Sequence, residues 1–367
     1  MKRLGIKYLK EGMEIARPIY RADGRIVLGV NVELTEDYIL RLPTQGITSI
    51  YVKDDRTTDI EVIDILSDNM RTLALTEAKK INDKLLEIYN KSKDKKINEK
   101  IMKNELEIVH ERLNKLGKEM VEDFMRIRNP LINLIDTRLN EDYIYAHMVN
   151  VAAVSILIGR ALGYNFEKLV DLAKGALIHD IGIIIGIPYE VRNKSGKLTE
   201  EELVMMKLHP KIGYDFIRKM TGINILSAHV AYQHHERYNG HGYPRGLSDG
   251  NISEYGYVAG IADVYDAITN NKSYKLRVLP DKAREFFMVA RDKFFPAYIV
   301  DSFLNKVPAY PNGTTLILSD GSEAVVLKQN KDNLSRPWVR ILNSNGKDWA
   351  DVNLINELNI GIEKILD

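Results

Sequence analysis

Seven of the chain's eight histidines lie between residues 147 and 241. They fall in distinct local settings: His147 in YAHMVNVAAV, His179 before Asp180 in LIHDIG, His209 in KLHP, and His234-His235 in YQHHE. A further carboxylate, Asp263, sits in GIADVYDAI. The chain has no cysteine, which excludes disulfides, thiolate zinc sites, iron–sulfur clusters and cysteine nucleophiles. Any metal must be held by nitrogen and oxygen. A lone inward histidine is ordinarily a satisfied core residue; its company here is what points to metal. In the His179-Asp180 pair an imidazole can bind one cation while the short carboxylate bridges to a second. Five imidazoles and two carboxylates without sulfur suit two ions of iron, manganese or a similar metal better than a structural zinc. Two cations about 3.5–4 Å apart would activate water and clamp phosphate oxygens during in-line attack.

These groups need rigid elements behind them. Val151, Val154, Ile158 and Leu162 follow His147 at helical spacing, so the imidazole sits at the end of an apolar face and points inward. Leu172, Ala176 and His179 repeat the arrangement, with Gly182 placed to end that helix. Asp266, one turn after Asp263, is placed to orient a ligand rather than to bind metal. The expected fold is mainly α: an all-helical catalytic domain over 125–305, preceded by a helical linker over 59–124. The linker carries the stripes Ala78, Ile81, Leu85, Ile88 and Leu106, Val109, Leu113, Leu116, Met120. They predict two long helices, suited to pairing with a second copy as a homodimer. The run Asn90–Lys96 reads as the solvated loop between them, and His110 as a surface residue.

A small β-rich N-terminal module is expected over 1–58, with strands at Ile15–Tyr20, Arg25–Val30 and Ile47–Val52, a hairpin turn at Arg21–Gly24 and a short helix at Glu36–Leu42. Residues 306–367 predict a small C-terminal β unit, with strands at Thr314–Leu318, Glu323–Gln329 and Trp338–Leu342. Trp338 and Trp349 read as its core or hinge residues. Lys plus Arg is 52 against 51 for Asp plus Glu, a balance that argues against a DNA- or RNA-polymer partner. The N-terminus has no apolar stretch of signal-peptide length, and Val151–Ile158 and Ile181–Ile187 are short for a membrane span. A cytoplasmic protein without a membrane partner is the expectation.

The order H…HD…H…HH…D resembles the HD superfamily of metal-dependent phosphohydrolases. The block His234-His235-Glu236-Arg237-Tyr238-Asn239-Gly240-His241-Gly242-Tyr243-Pro244 narrows the resemblance to the HD-GYP branch. Asn193–Thr199 with His209-Pro210, and Ile261–Ile268 running into Lys272-Ser273-Tyr274-Lys275, resemble the same branch. Carried over by position, one metal would take His147, His179, Asp180 and Asp263, and the other Asp180, His209, His234 and His235. Asp180 would bridge, and with His179 would be central to catalysis. Tyr143 stands where some members carry a Glu for a third metal, so two metals, iron or manganese, are implied. The implied reaction is hydrolysis of cyclic di-GMP to linear pGpG or to GMP. Alternatives are an HD-type hydrolase of another nucleotide, or a cyclic-dinucleotide-binding signalling protein of low activity.

Substrate contacts would come from Lys272, Lys275, Lys194 and Tyr243, with the Gly242-Tyr243-Pro244 loop either rimming the site or meeting a protein partner. The chain departs from the family in three places. Ile183 stands where a phosphate-facing Lys follows the His-Asp pair, Asn239 stands for an Asp, and Lys272 and Lys275 stand for Arg, losing bidentate phosphate contact.

Overall fold

The computed structural model describes residues 1–20, 26–45, 47–94, 97–127, 130–131, 143–194, 196–269, 278–342 and 349–366. The chain begins with β1 (Lys2–Gly5), β2 (Ile19–Tyr20), β3 (Ile26–Leu28), helix α1 (Glu36–Thr44) and β4 (Ser49–Val52). β1 pairs antiparallel with β4, and β2 with β3. The turn at Arg21–Gly24 lies outside the described residues. Thr35 caps α1 by accepting a hydrogen bond from the Tyr38 amide, and Glu36 and Asp37 favour that helix end.

Two long helices follow, α2 (Asp68–Lys93) and α3 (Glu99–Arg126). The Ser67 hydroxyl caps α2 and also donates to Asp123 near the end of α3, fastening the pair antiparallel. The stripe Ala78, Ile81, Leu85 and Ile88 is buried, as is Leu106 through Met120 of α3. It is used within the chain, because α2 packs on α3 and on two helices of the region that follows. Two expectations need correction. Asn90–Lys93 completes α2 instead of opening a loop: Lys91 pairs with Glu87 one turn back at 2.5 Å, and cations suit a helix C-terminus. His110 is half-buried, its ring filling the space left by the missing side chain of Gly222.

The following helical region comprises α4 (Tyr143–Ala161), α5 (Phe166–Leu177), α6 (Ile181–Gly186), α7 (Tyr189–Arg192), α8 (Glu200–Met206), α9 (His209–Ile217), α10 (Ile225–Gln233), α11 (Glu254–Thr269), α12 (Pro280–Ala290) and α13 (Ala297–Leu304). By length and composition α4 could cross a membrane, which the shorter segment Val151–Ile158 did not suggest. Its most apolar stretch is 78% buried, packed against α2, α5, α11 and α13 as the core of the helical domain. Gly182 does not end the preceding helix. It lies inside α6, and a Cβ there would fall 2.0 Å from the His209 carbonyl oxygen. Its role is to let α6 and α9 touch backbone to backbone.

At the C-terminus β5 (Thr315–Leu318), β6 (Glu323–Lys328), β7 (Trp338–Leu342), β8 (Trp349–Asn353) and β9 (Ile362–Ile365) form one antiparallel sheet in the order β8-β7-β6-β5-β9. Neither tryptophan is a core residue: Trp349 is 49% exposed, and Trp338 is half-buried beneath the Lys328 ammonium. Edge and surface positions of a small sheet have no second layer to bury so large a ring. The two ends of the chain meet. The Gly5 amide donates to the Leu366 carbonyl, the Thr315 hydroxyl donates to the Arg3 carbonyl, and Arg340 bridges Asp59 and Asp351.

Candidate metal centre

His147 projects from the first turn of α4, and Asp263 from α11, which packs on α4. His179 and Asp180 occupy the tight link between α5 and α6, while His209 opens α9. His234 and His235 directly follow α10. Five separate backbone segments thus aim seven side chains at one point. All seven are buried except His235, which is partly so.

The donor atoms fall into two groups, His147, His179 and Asp263 on one side and Asp180, His209, His234 and His235 on the other. Within each group the atoms lie within 4.8 Å of one another. Asp180 lies between the groups. Its Oδ1 is 3.2 Å from His209 Nε2 and 3.5 Å from His234 Nε2, and its Oδ2 is 3.4 Å from His179 Nε2 and 3.8 Å from His147 Nε2. Asp263 is 3.1 Å from His147 Nε2 and 3.7 Å from His235 Nδ1.

The outer nitrogens settle what the inner ones can do. Nδ1 of His179 lies 2.7 Å from the Ala176 carbonyl, that of His209 2.7 Å from the Met206 carbonyl, and that of His234 3.0 Å from the Val230 carbonyl. A carbonyl only accepts, so these Nδ1 atoms carry protons and each ring directs its Nε2 inward. Nδ1 of His147 is likewise 2.7 Å from Asp266, as expected for an orienting carboxylate. These inward nitrogens and the carboxylate oxygens converge at 3.1–3.8 Å, an arrangement that needs a proton or a metal cation between each pair. His179 Nε2 and Asp180 Oδ1 are indeed buried without a hydrogen bond. The donor set therefore fits divalent metal.

The charge balance agrees. Burial works to raise the Asp180 carboxyl, but His179, His209 and His234 outweigh it and hold the group well below the usual carboxylate range. Burial lowers His234, and it lowers His235 much further because His234 adds its own repulsion. Burial also opposes charge on His147, yet Asp263 and Asp266 raise it to about 10. The pocket thus keeps Asp180 and Asp263 charged and His234 and His235 neutral, while its carboxylates favour the protonated form of His147.

One rim is built by the block after His235. Gly242 folds back onto the chain so closely that a Cβ would lie 2.4 Å from the Arg237 nitrogen and 2.5 Å from the His235 carbonyl oxygen. The buried Glu236 carboxylate fixes the loop by accepting from the Arg245 and Leu247 amides, both at 2.9 Å. Arg237 clamps the turn below by donating to the carbonyls of His234 and Glu236. The Tyr243 ring stacks on His235 at 4.6 Å, and burial, with Asp263 and Asp180 nearby, raises its phenol so that it stays neutral.

The remaining expected contacts stand differently. Lys194 is engaged with Glu202 at 2.6 Å. Lys272 and Lys275 lie outside the described residues. Tyr143 stacks on His147 at 5.8 Å. Sequence reasoning passed over Lys207, whose exposed ammonium sits 5.6 Å from the Tyr243 ring centroid. Its position two residues before His209 was the only available signal. It also passed over the structural part of Glu236, because the amides it holds, Arg245 and Leu247, are brought to it only by the folded loop.

A family profile described as "HD domain" matches residues 98–287, more than half of the chain. The chain is 31% identical over 226 residues to the cyclic di-GMP phosphodiesterase PA4108 of Pseudomonas aeruginosa, covering 62% of this chain and 54% of that protein. It is 31% identical over 238 residues to the cyclic di-GMP phosphodiesterase PdeB of Borreliella burgdorferi, covering 63% and 62%. It thus spans little more than half the length of these relatives. Among solved structures, the HDG"Y"P protein Bd1817 of Bdellovibrio bacteriovorus is similar with a TM-score of 0.46 and 17% identity, over 83% of this chain and 98% of that one.

Proposed function

The chain belongs to the HD-domain family, metal-dependent phosphohydrolases, and is of its HD-GYP type; on that premise we propose that it hydrolyses cyclic di-GMP to linear pGpG or to GMP. The observation that carries the reading is the convergence of five imidazoles on Asp180 and Asp263, with His179 Nε2 and Asp180 Oδ1 buried without a hydrogen-bond partner. In this reading His147, His179, Asp180 and Asp263 hold one ion, and Asp180, His209, His234 and His235 hold a second. Iron and manganese suit this nitrogen–oxygen set. Bound, the pair would supply Lewis-acid activation of water and neutralise charge on the phosphate.

The protein's own residues do the rest. The second groups on His147, His179, His209 and His234 keep every ring aimed. Gly242 and Glu236 hold Tyr243 as a flat, neutral surface on which a guanine base can stack. We assign the 242–244 loop to this substrate rim. Lys207 contributes a cation beside that ring, joined by Lys272, Lys275 and, if released from Glu202, Lys194. Hydrolysis breaks one P–O3′ bond; the water oxygen forms the new P–O bond, and the departing 3′-oxygen takes a proton. A second copy would pair along the outward face of α3, where Ile101 and Ile108 are exposed. We place the protein in the cytoplasm; among the described residues, the one helix long and apolar enough to cross a membrane is packed inside the protein.

A panel of cyclic di-GMP, a mixed guanine–adenine cyclic dinucleotide, linear pGpG and a phosphomonoester, offered to manganese-loaded protein, tests the reading. Consumption of cyclic di-GMP with linear product supports it, and hydrolysis confined to another member of the panel overturns the substrate. Ile183 favours a second reading, since an alkyl side chain stands on α6 where a phosphate-facing cation is usual. Tight cyclic di-GMP binding without product would select that binding protein.

A further inference from the structure

A line of buried polar groups leads out of the metal centre and ends in the linker, far from any ligand in sequence. Asp266 is fully buried and must satisfy both carboxylate oxygens. Its Oδ2 accepts from His147 Nδ1 at 2.7 Å, and its Oδ1 accepts from the Asn150 side-chain amide at 2.6 Å. The Asn150 carbonyl in turn accepts from Arg71 Nη1 at 3.3 Å, while Arg71 Nη2 donates to Asp64 at 2.7 Å. Asn150 is 1% exposed, and Arg71 and Asp64 are each 9% exposed. Arg71 stands in the first turn of α2, and in that same turn Asp68 accepts from Arg17 of the N-terminal module at 2.9 Å.

The chemistry gives this line a direction. A guanidinium only donates, so the Asn150 oxygen must face Arg71 and its NH₂ must face Asp266. Asp266 is then held as an acceptor on both sides, so it fixes the His147 ring through the proton on Nδ1 and keeps Nε2 directed toward the centre. An amide turned the other way would set its oxygen against the Asp266 carboxylate. We propose that Arg71, held by Asp64, is a positioning residue for the metal ligand His147, acting through Asn150 and Asp266. The start of the linker helix is thereby tied to the geometry of the metal site. This inference rests on His147 being a metal ligand, as proposed above.

The test is a Co²⁺ titration of the full chain, followed by its visible d–d absorption, with thermal unfolding measured in parallel. Arg71→Met keeps the length and apolar stem but removes the donors. It should weaken Co²⁺ binding about tenfold and shift the visible band. Asn150→Ser should have a similar effect, and the double variant should be no weaker than either single one, because both cut one chain. Arg71→Lys should recover part of the affinity. A folded Arg71→Met protein with wild-type affinity and spectrum would overturn the inference. Should Arg71→Met not fold, wild-type binding by Asn150→Ser overturns it equally. If the wild-type protein itself takes up no Co²⁺, the metal-centre reading fails first and this inference falls with it.

Discussion

The metal centre and the terminal β assembly each join parts of the chain that are distant in sequence, by different means. At the centre seven side chains from residues 147–263 converge, and their chemical identity is the whole of the construction. In the terminal assembly residues 2–5 meet residues 313–366 largely through backbone groups, such as the Arg3 amide on the Gly313 carbonyl and the Gly5 amide on the Leu366 carbonyl. Imidazoles and carboxylates leave a mark in the sequence wherever they are placed. Backbone donors are carried by nearly every residue, so a junction built from them leaves almost none.

Substitutions can sharpen this contrast, since the centre should respond in metal content and the terminal assembly in stability alone. The largest effect is expected at Asp180, whose two oxygens face histidines of both donor groups. Asp180→Ala should remove metal binding and lower turnover by about 10³-fold or more, while circular dichroism shows the fold retained. Retained metal and turnover would break the comparison at its strongest point.

Next comes Gly182→Ala, which alters no ligand but forces α6 away from the His209 backbone. We expect a loss of about 2–3 kcal/mol in chemical denaturation, as for an overpacked core, together with weakened metal binding because His209 moves with α9. The smallest effect is expected at Arg340, whose partners Asp59 and Asp351 are themselves well exposed at 57% and 37%. Arg340→Ala should cost about 1–2 kcal/mol and leave metal content unchanged. A change in metal stoichiometry there would show that the two regions are not separable.

The same contrast explains what could be read in advance. The helix faces behind His147 and along α2 and α3 follow from apolar residues at helical spacing. The grouping of five histidines with Asp180 and Asp263 followed from their types and their order. The extent of α2 through Lys93 was hidden by a run of lysines that looks like a loop until the Glu87–Lys91 pair is seen. Gly182 was taken for a helix end because nothing local shows the His209 backbone pressing on it. The half-buried His110 and exposed Trp349 were misplaced for a related reason: their surroundings come from other segments. Arg71 could not be linked to His147 from sequence, because only the fold brings α2 beside Asn150.

The most direct test of the account is elemental analysis of anaerobically purified protein, paired with product analysis after addition of cyclic di-GMP. The account predicts about two transition-metal ions per chain, as for a two-metal site, and linear product formed by the same preparation. Protein that binds no transition metal under any loading condition would contradict it, and would leave the inward-facing nitrogens of His179, His209 and His234 without an explanation.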